Sequence, residues 1–296
     1  PRVMWWPPGA GAPPPQPEAA FCLAAGQGDG VRRALREAGE ERFRHKGGLF
    51  IEGLSRQDPP QVLYEGLMEA LGYVQNRGPF LDLARALPYA ALEEGARGLS
   101  REKRVGLLYA LLMGQAGFSG PAPFPPALDP RGWYTFRVRP ANLPQRRLRA
   151  ASHLLSRYLR PGLLPGLLGL VERARGPHEI ETGVVVGEGS PALLGRGRAG
   201  EMAVNALLPF AWAWGQSMGV GHLAQQALEL YRGYPRLGEN EVTRLMRARL
   251  LAQPNAKGAG PTLPRDTGLA CQEQGMIHIY RNYCRGRRCA SCPVRR

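Results

Sequence analysis

Along most of this chain apolar residues recur three and four positions apart, and that spacing predicts helices. Asp58 and Pro59 cap and open one of them, Leu63, Leu67, Ala70, Leu71 and Val74 follow on one face, and Gly72 reads as its stop. A second helix starts at Ser100 and carries Val105, Leu108 and Leu112 toward Gly114 and Gly117. Between them Asn76-Arg77-Gly78-Pro79 reads as a turn and Pro88 as another break. Helices resume at Gln145 and, interrupted at Pro161, Pro165 and Pro177, continue to about Gln253. Asn240 caps the last, with Val242, Leu245, Met246 and Leu250 on its inner face. Alternation of period two appears at 133–139, where Tyr134, Phe136 and Val138 oppose Arg137 and Arg139, which predicts a short strand, and 181–186 is a second strand candidate.

Proline and glycine divide the chain. Residues 1–30, with Trp5, Trp6 and a run of prolines, read as a tail or crossing segment. A helical part, 31–118, leads to a Pro-rich linker with a short strand, 119–145, and a second helical part, 146–253. Residues 254–296 are a linker and a Cys-rich basic metal-binding module. The expected fold is therefore mainly α, multi-helical with a few short strands and a small C-terminal metal knuckle built from four cysteines. Between Met202 and Leu228 no residue carries a formal charge at neutral pH unless His222 is protonated. Asn205, Pro209 and several glycines interrupt that stretch before it reaches the roughly 18 apolar residues a membrane span needs. It predicts a buried central helix pair, with no membrane partner.

With 296 residues, 44% of them hydrophobic, the chain can bury one large core or two modest ones. A formal net charge of +15 favours polyanionic partners. Of 39 basic side chains only Lys46, Lys103 and Lys257 are lysines, a skew that a GC-rich genome produces unaided, so position and not number must carry any argument from arginine. The opening at Pro1 reads as a fragment of a longer frame, whose upstream region would be a partner. Five cysteines, four of them near the end, fit a reducing, cytoplasmic setting better than a disulfide framework.

Cys271, Cys284, Cys289 and Cys292 follow a C-x12-C-x4-C-x2-C spacing. Four soft thiolates on tight turns suit Zn²⁺, with an iron–sulfur cluster as the alternative, and His278 could replace one sulfur. Buried thiols of an ordinary core are the competing reading. No Glu stands where it would activate a metal-bound water, which makes the expected role structural. Cys22 stands alone.

Two basic faces are candidates for nucleic acid. At about 100° per residue, Arg146, Arg149, His153, Arg157 and Arg160 form one stripe of the helix from Gln145, opposite Leu148, Ala151, Leu155 and Leu159. Arg137 and Arg139 precede it. Such a row could follow a phosphate backbone and release counterions, or it could be the solvated face of a surface helix. Around the cysteines, Arg281, Arg285, Arg287 and Arg288 alternate with Tyr280 and Tyr283, rings on which single-stranded bases could stack. Gly195-Arg196-Gly197-Arg198-Ala199-Gly200 matches the dinucleotide fingerprint but lacks the flanking βαβ unit and a distal acid; it reads as a turn, at most an anion-binding helix start. The histidines have no carboxylate or nucleophile at a suggestive offset, and no catalytic motif is present.

Several strings occur in a familiar order: Leu63-Tyr64-Glu65-Gly66-Leu67-Met68-Glu69-Ala70-Leu71-Gly72-Tyr73 with Asn76 and Pro79-Phe80, Arg139-Pro140-Ala141-Asn142 before Arg146-Arg147, Asn205 with Leu208-Pro209, and Gly275 through Cys292. Together they resemble the uncharacterised bacterial family called domain of unknown function 2851, from about residue 35 to the end. The resemblance assigns no catalytic residue. It implies that this chain is the accessory part of a larger nuclease-like protein. The leading function is nucleic-acid binding by a cytoplasmic bacterial protein with a structural metal site. The alternatives are a scaffold or protein-interaction domain, and an enzyme whose active site is shared with an upstream region.

Overall fold

The computed structural model describes residues 29–118, 127–187, 192–250 and 268–295. Cys22, the proline-rich beginning and the 254–264 linker lie outside them. Within the described residues the protein is mainly helical and forms no sheet; Val186 and Leu194 pair in an isolated antiparallel bridge.

Two compact units emerge, Pro1–Arg42 with Gly238–Arg296, and Phe43–Leu237. The boundary is not the proline-rich 119–145 segment. Helices from either side of that segment pack on one another, because neither apolar face is wide enough to bury itself alone.

Helix α1, Asp29–Leu54, supplies residues 29–42 to one unit and 43–54 to the other. In the larger unit follow α2 (Pro59–Leu71), α3 (Arg77–Ala86), α4 (Tyr89–Gly95) and α5 (Arg101–Gln115). Then come α6 (Pro144–Tyr158), α7 (Leu163–Arg173), α8 (Pro177–Val184), α9 (Arg196–Met202), α10 (Leu208–Ser217) and α11 (Gly221–Arg232). The Pro59 start and Leu71 end of α2 match the expectation, and so does the Ser100 cap of α5, whose hydroxyl accepts from the Lys103 amide. The expected turn at 76–79 is instead the first turn of α3. Asn76 stands at its N-cap position with its side chain turned to Tyr134 instead of the first-turn amides, and Pro79 is tolerated because those amides have no helical partner in any case.

Neither expected strand forms. Residues 133–139 lie between the short turns Pro130–Gly132 and Pro140–Asn142, and Phe136-Arg137 is itself a turn with Arg137 at φ 52°. Trp133 is what anchors this segment: it packs between Phe80 and Phe118 and its indole N–H donates to the Ala116 carbonyl at 2.9 Å. Residues 181–184 are the end of α8, and beyond them Val186 makes the isolated bridge. Alternation without an adjacent strand has no ladder to join.

The apolar 202–228 stretch becomes α10 and α11, joined to α9 by a π-helical turn at Ala203–Leu207. Val204, Leu207, Leu208 and Phe210 are wholly buried there. Among the described residues no helix is long and apolar enough to cross a membrane.

The smaller unit holds α12 (Glu241–Leu250) and α13 (Ala270–Ile279), the latter running on as a π-turn over Tyr280–Cys284. Asn240 caps α12 as expected, its Oδ1 accepting from the Thr243 amide at 3.0 Å. The core here is small: Val31, Leu35 and Ala38 of α1 meet Met246, Met276, Ile279 and Val294. Arg247 and Glu273 form a buried ion pair at 3.1 Å beside it.

Candidate functional site

A charged side chain at an apolar position is the clearest local anomaly. On α6, Arg147 shares its helical row with Ala151, Leu154 and Tyr158, all buried, and is itself only 6% exposed. Its guanidinium donates through Nη2 to Asn142 Oδ1, while its Nε is buried with no hydrogen-bond partner. Burial, then the positive charge of Arg198, pull its pKa down to about 10; Glu201 opposes them.

Arg198, on the first turn of α9, keeps 11% side-chain exposure. Its Nη1 donates to Glu201 Oε2 at 2.6 Å, three residues on, and its Nε is likewise buried without a partner. The Glu201 carbonyl accepts from Asn205 Nδ2 at 2.8 Å, and Asn205 Oδ1 in turn takes a hydrogen bond from Lys46 Nζ on α1.

The other face of Arg198 lies over the ring of Tyr73, 4.1 Å from its centroid. Tyr73 follows the end of α2 at φ 56°, a left-handed conformation that a non-glycine residue adopts at a cost, and its side chain is 42% exposed. A few residues on, the buried Asn76 stitches this turn to the 133–139 segment, donating to the Tyr134 carbonyl at 3.0 Å and accepting from the Tyr134 amide at 2.8 Å. That segment presents Phe136, 67% exposed, with the Arg137 guanidinium 5.1 Å from the centre of its ring. Two exposed rings, each covered on one face by an arginine, therefore stand on two segments tied by one amide side chain.

The α6 stripe behaves differently from the expectation. Arg157 donates to the carbonyls of Gly183 and Val185 at 2.6 and 2.8 Å, and Arg146 to that of Ala192 at 3.2 Å. The Gly183 and Val185 carbonyls lie at the end of α8, where helical partners run out, and the Arg157 guanidinium fork fills the vacancy. His153 is half-buried; Arg149 and Arg160 are exposed, as are Arg137 and Arg139 of the preceding segment. The five stripe residues are thus not a continuous outward row.

In the smaller unit Arg281, Arg285, Arg287 and Arg288 are exposed, but Tyr280 and Tyr283 pack partly buried against the Val31–Met276 core, which turns those rings away from stacking. Cys271 and Cys284 sit near opposite ends of one continuous helix, roughly 20 Å apart at about 1.5 Å per residue. Cys271 is buried, its thiol against the Arg36 carbonyl at 3.5 Å. Cys284 and Cys292 pack on the shared core, and Cys289 opens a 3₁₀ turn just before Cys292. Among the described residues no group of three or more His, Cys, Asp or Glu side chains comes together in a way that could hold a metal ion. The four-sulfur knuckle does not fit this geometry, chiefly because of Cys271. His278 is engaged with Glu41 at 3.3 Å and with Asn282.

Sequence reasoning passed over Tyr73, Arg147, Arg198, Glu201 and Lys46. The signal for Arg147 was available in its register with apolar neighbours. For Arg198 the only hint was the glycine-rich string read as a possible anion-binding start. Fold and site together describe a helical protein with a basic, aromatic-flanked cluster. Comparison with family models, curated proteins and solved structures finds no match.

Proposed function

We propose that this protein binds nucleic acid, with single-stranded regions as its preferred substrate, through the 43–237 unit. The observation that carries this reading is the pair of exposed rings, Tyr73 and Phe136, each backed by a guanidinium on segments joined by Asn76. A base has a π-face whatever its identity, and an arginine beside the ring supplies the charge that the adjacent phosphate needs. Exposed Arg139, Arg149 and Arg160 add to the attraction. A cytoplasmic setting, argued from the cysteine usage, and a bacterial origin with partnership of a nuclease-like part, argued from the resemblance, belong to the same proposal.

The test is salt-titrated binding of labelled single-stranded and duplex oligonucleotides. Affinity should fall linearly in log–log against salt, with single strands held more tightly. Tyr73→Ala and Phe136→Ala should each weaken single-strand binding by about 1–3 kcal/mol, the usual worth of one base–aromatic stack. Absence of binding at low salt would remove this reading in favour of a scaffold that meets an acidic protein.

A metal at the chain's end is a second, narrower proposal. Cys284, Cys289 and Cys292 do not converge in the described structure, so zinc or an iron–sulfur cluster would have to draw these three thiolates together on binding, with a fourth donor other than Cys271.

A further inference from the structure

We propose that Arg147 and Arg198 form a seat for a single phosphate group of a nucleic-acid strand, with Tyr73 beside it to carry the neighbouring base. This rests on the nucleic-acid reading for its ligand, and on separate observations for the seat.

The charges do not balance. Two guanidiniums, one 6% and one 11% exposed, are paired with a single carboxylate, since Arg147 leans on the neutral Asn142 amide and Glu201 engages Arg198. A buried charge that lacks an opposite partner is costly, and the cost is removed by an anion from outside. The donors also remain to be used: Nε of Arg147 and Nε of Arg198 are both buried and unpartnered. Nε with an Nη forms the edge that grips two oxygens of one phosphate, and two such edges suit a tetrahedral anion better than a planar carboxylate.

Tyr73 is the solvent-exposed neighbour of the seat, 42% exposed and in contact with Arg198. Its backbone is left-handed, and one face of its ring lies on Arg198. A base stacked on the ring would place its own phosphate near the guanidinium beneath. Residues in strained backbone positions are over-represented at such binding sites.

Three probes separate the possible ligands: inorganic phosphate, a deoxynucleoside 5′-monophosphate and a short single-stranded oligonucleotide, each titrated calorimetrically into the whole chain. The monophosphate should bind more tightly than phosphate. Arg198→Gln should lose about tenfold or more of monophosphate affinity, the scale expected when charge-assisted hydrogen bonds go. Arg198→Lys, which keeps the charge and loses the fork, should lose nearly as much, and its circular dichroism checks that the fold survives. Monophosphate binding equal to wild type in both variants overturns the seat. So does failure of the unaltered protein to bind phosphate or monophosphate at all. Salt-dependent oligonucleotide binding that ignores Arg198 overturns the seat and leaves the nucleic-acid reading standing. Arg198-dependent monophosphate binding without oligonucleotide binding supports the seat and overturns the wider reading.

Discussion

Tyr64, Tyr89 and Tyr234 show how single side chains set the alkaline limit of this protein. Each sits in the 43–237 core, and burial comes first among the reasons their phenols resist ionisation, with Glu65, Glu93 and Glu181 adding repulsion. Tyr89 is pushed up to about 12 from the usual 10.0, even though the Leu163 amide donates to its oxygen. Tyr64 and Tyr234 are raised still further. The folded state thus holds protons that the unfolded chain releases near pH 10, so this stabilisation is complete below that value and is lost as pH climbs through the folded values. Arg147 acts in the opposite sense, because its lowered pKa favours the folded state as pH rises above about 10. Tyr158 is raised as well, again chiefly by burial, and with four phenols against one guanidinium urea midpoints should decline above pH 10. Spectrophotometric titration of the native protein near pH 10 should find the phenols of Tyr64, Tyr89, Tyr158 and Tyr234 still protonated, and unfolding should release them.

At the scale of elements, the contact between α1 and α13 depends on two glycines. A Cβ on Gly275 would lie 1.9 Å from the Leu35 carbonyl oxygen, and one on Gly39 would lie 2.1 Å from that of Cys271. The obstruction is backbone in both cases, so no rotamer change relieves it and the helices must separate. Gly275→Ala should therefore destabilise the smaller unit by roughly 1–3 kcal/mol or more, read as a lower urea midpoint. Gly30, with nothing near its Cβ position, is the control: Gly30→Ala should change the midpoint little. The same contact gives Cys271 a role. It is a small buried residue at a close helix crossing, which is the ordinary-core reading that competed with ligation.

For the whole molecule, the placement of the cysteines leads to a sharper expectation than their spacing did. If zinc or iron accompanies the purified protein, its stoichiometry by elemental analysis should be unchanged in Cys271→Ser and lost when Cys289 and Cys292 are both replaced by Ser. A Cys271-dependent metal would mean that the helix from Ala270 to Cys284 breaks on binding. The helical class, the start at Pro59, the Ser100 and Asn240 caps and the buried character of 202–228 were legible in the chain, because each follows from spacing, from proline's fixed φ or from one local hydrogen bond, whereas Asp58 makes no side-chain capping bond. The strands at 133–139 and 181–186 were not, since an alternating pattern or a run of valines signals a strand only when a partner lies alongside, and Trp133 and the α8 helix decided otherwise. Likewise a C-x12-C separation is silent about whether the intervening residues loop back or extend as helix.

The order of residues decides local matters: where helices begin, which faces are apolar, and that arginine is abundant. Which arginines matter was settled only in three dimensions. Electrostatic coupling depends on distance through space, and folding sets Arg147 against Arg198 across some fifty residues of chain while turning the more conspicuous Arg157 to the carbonyls of its neighbours.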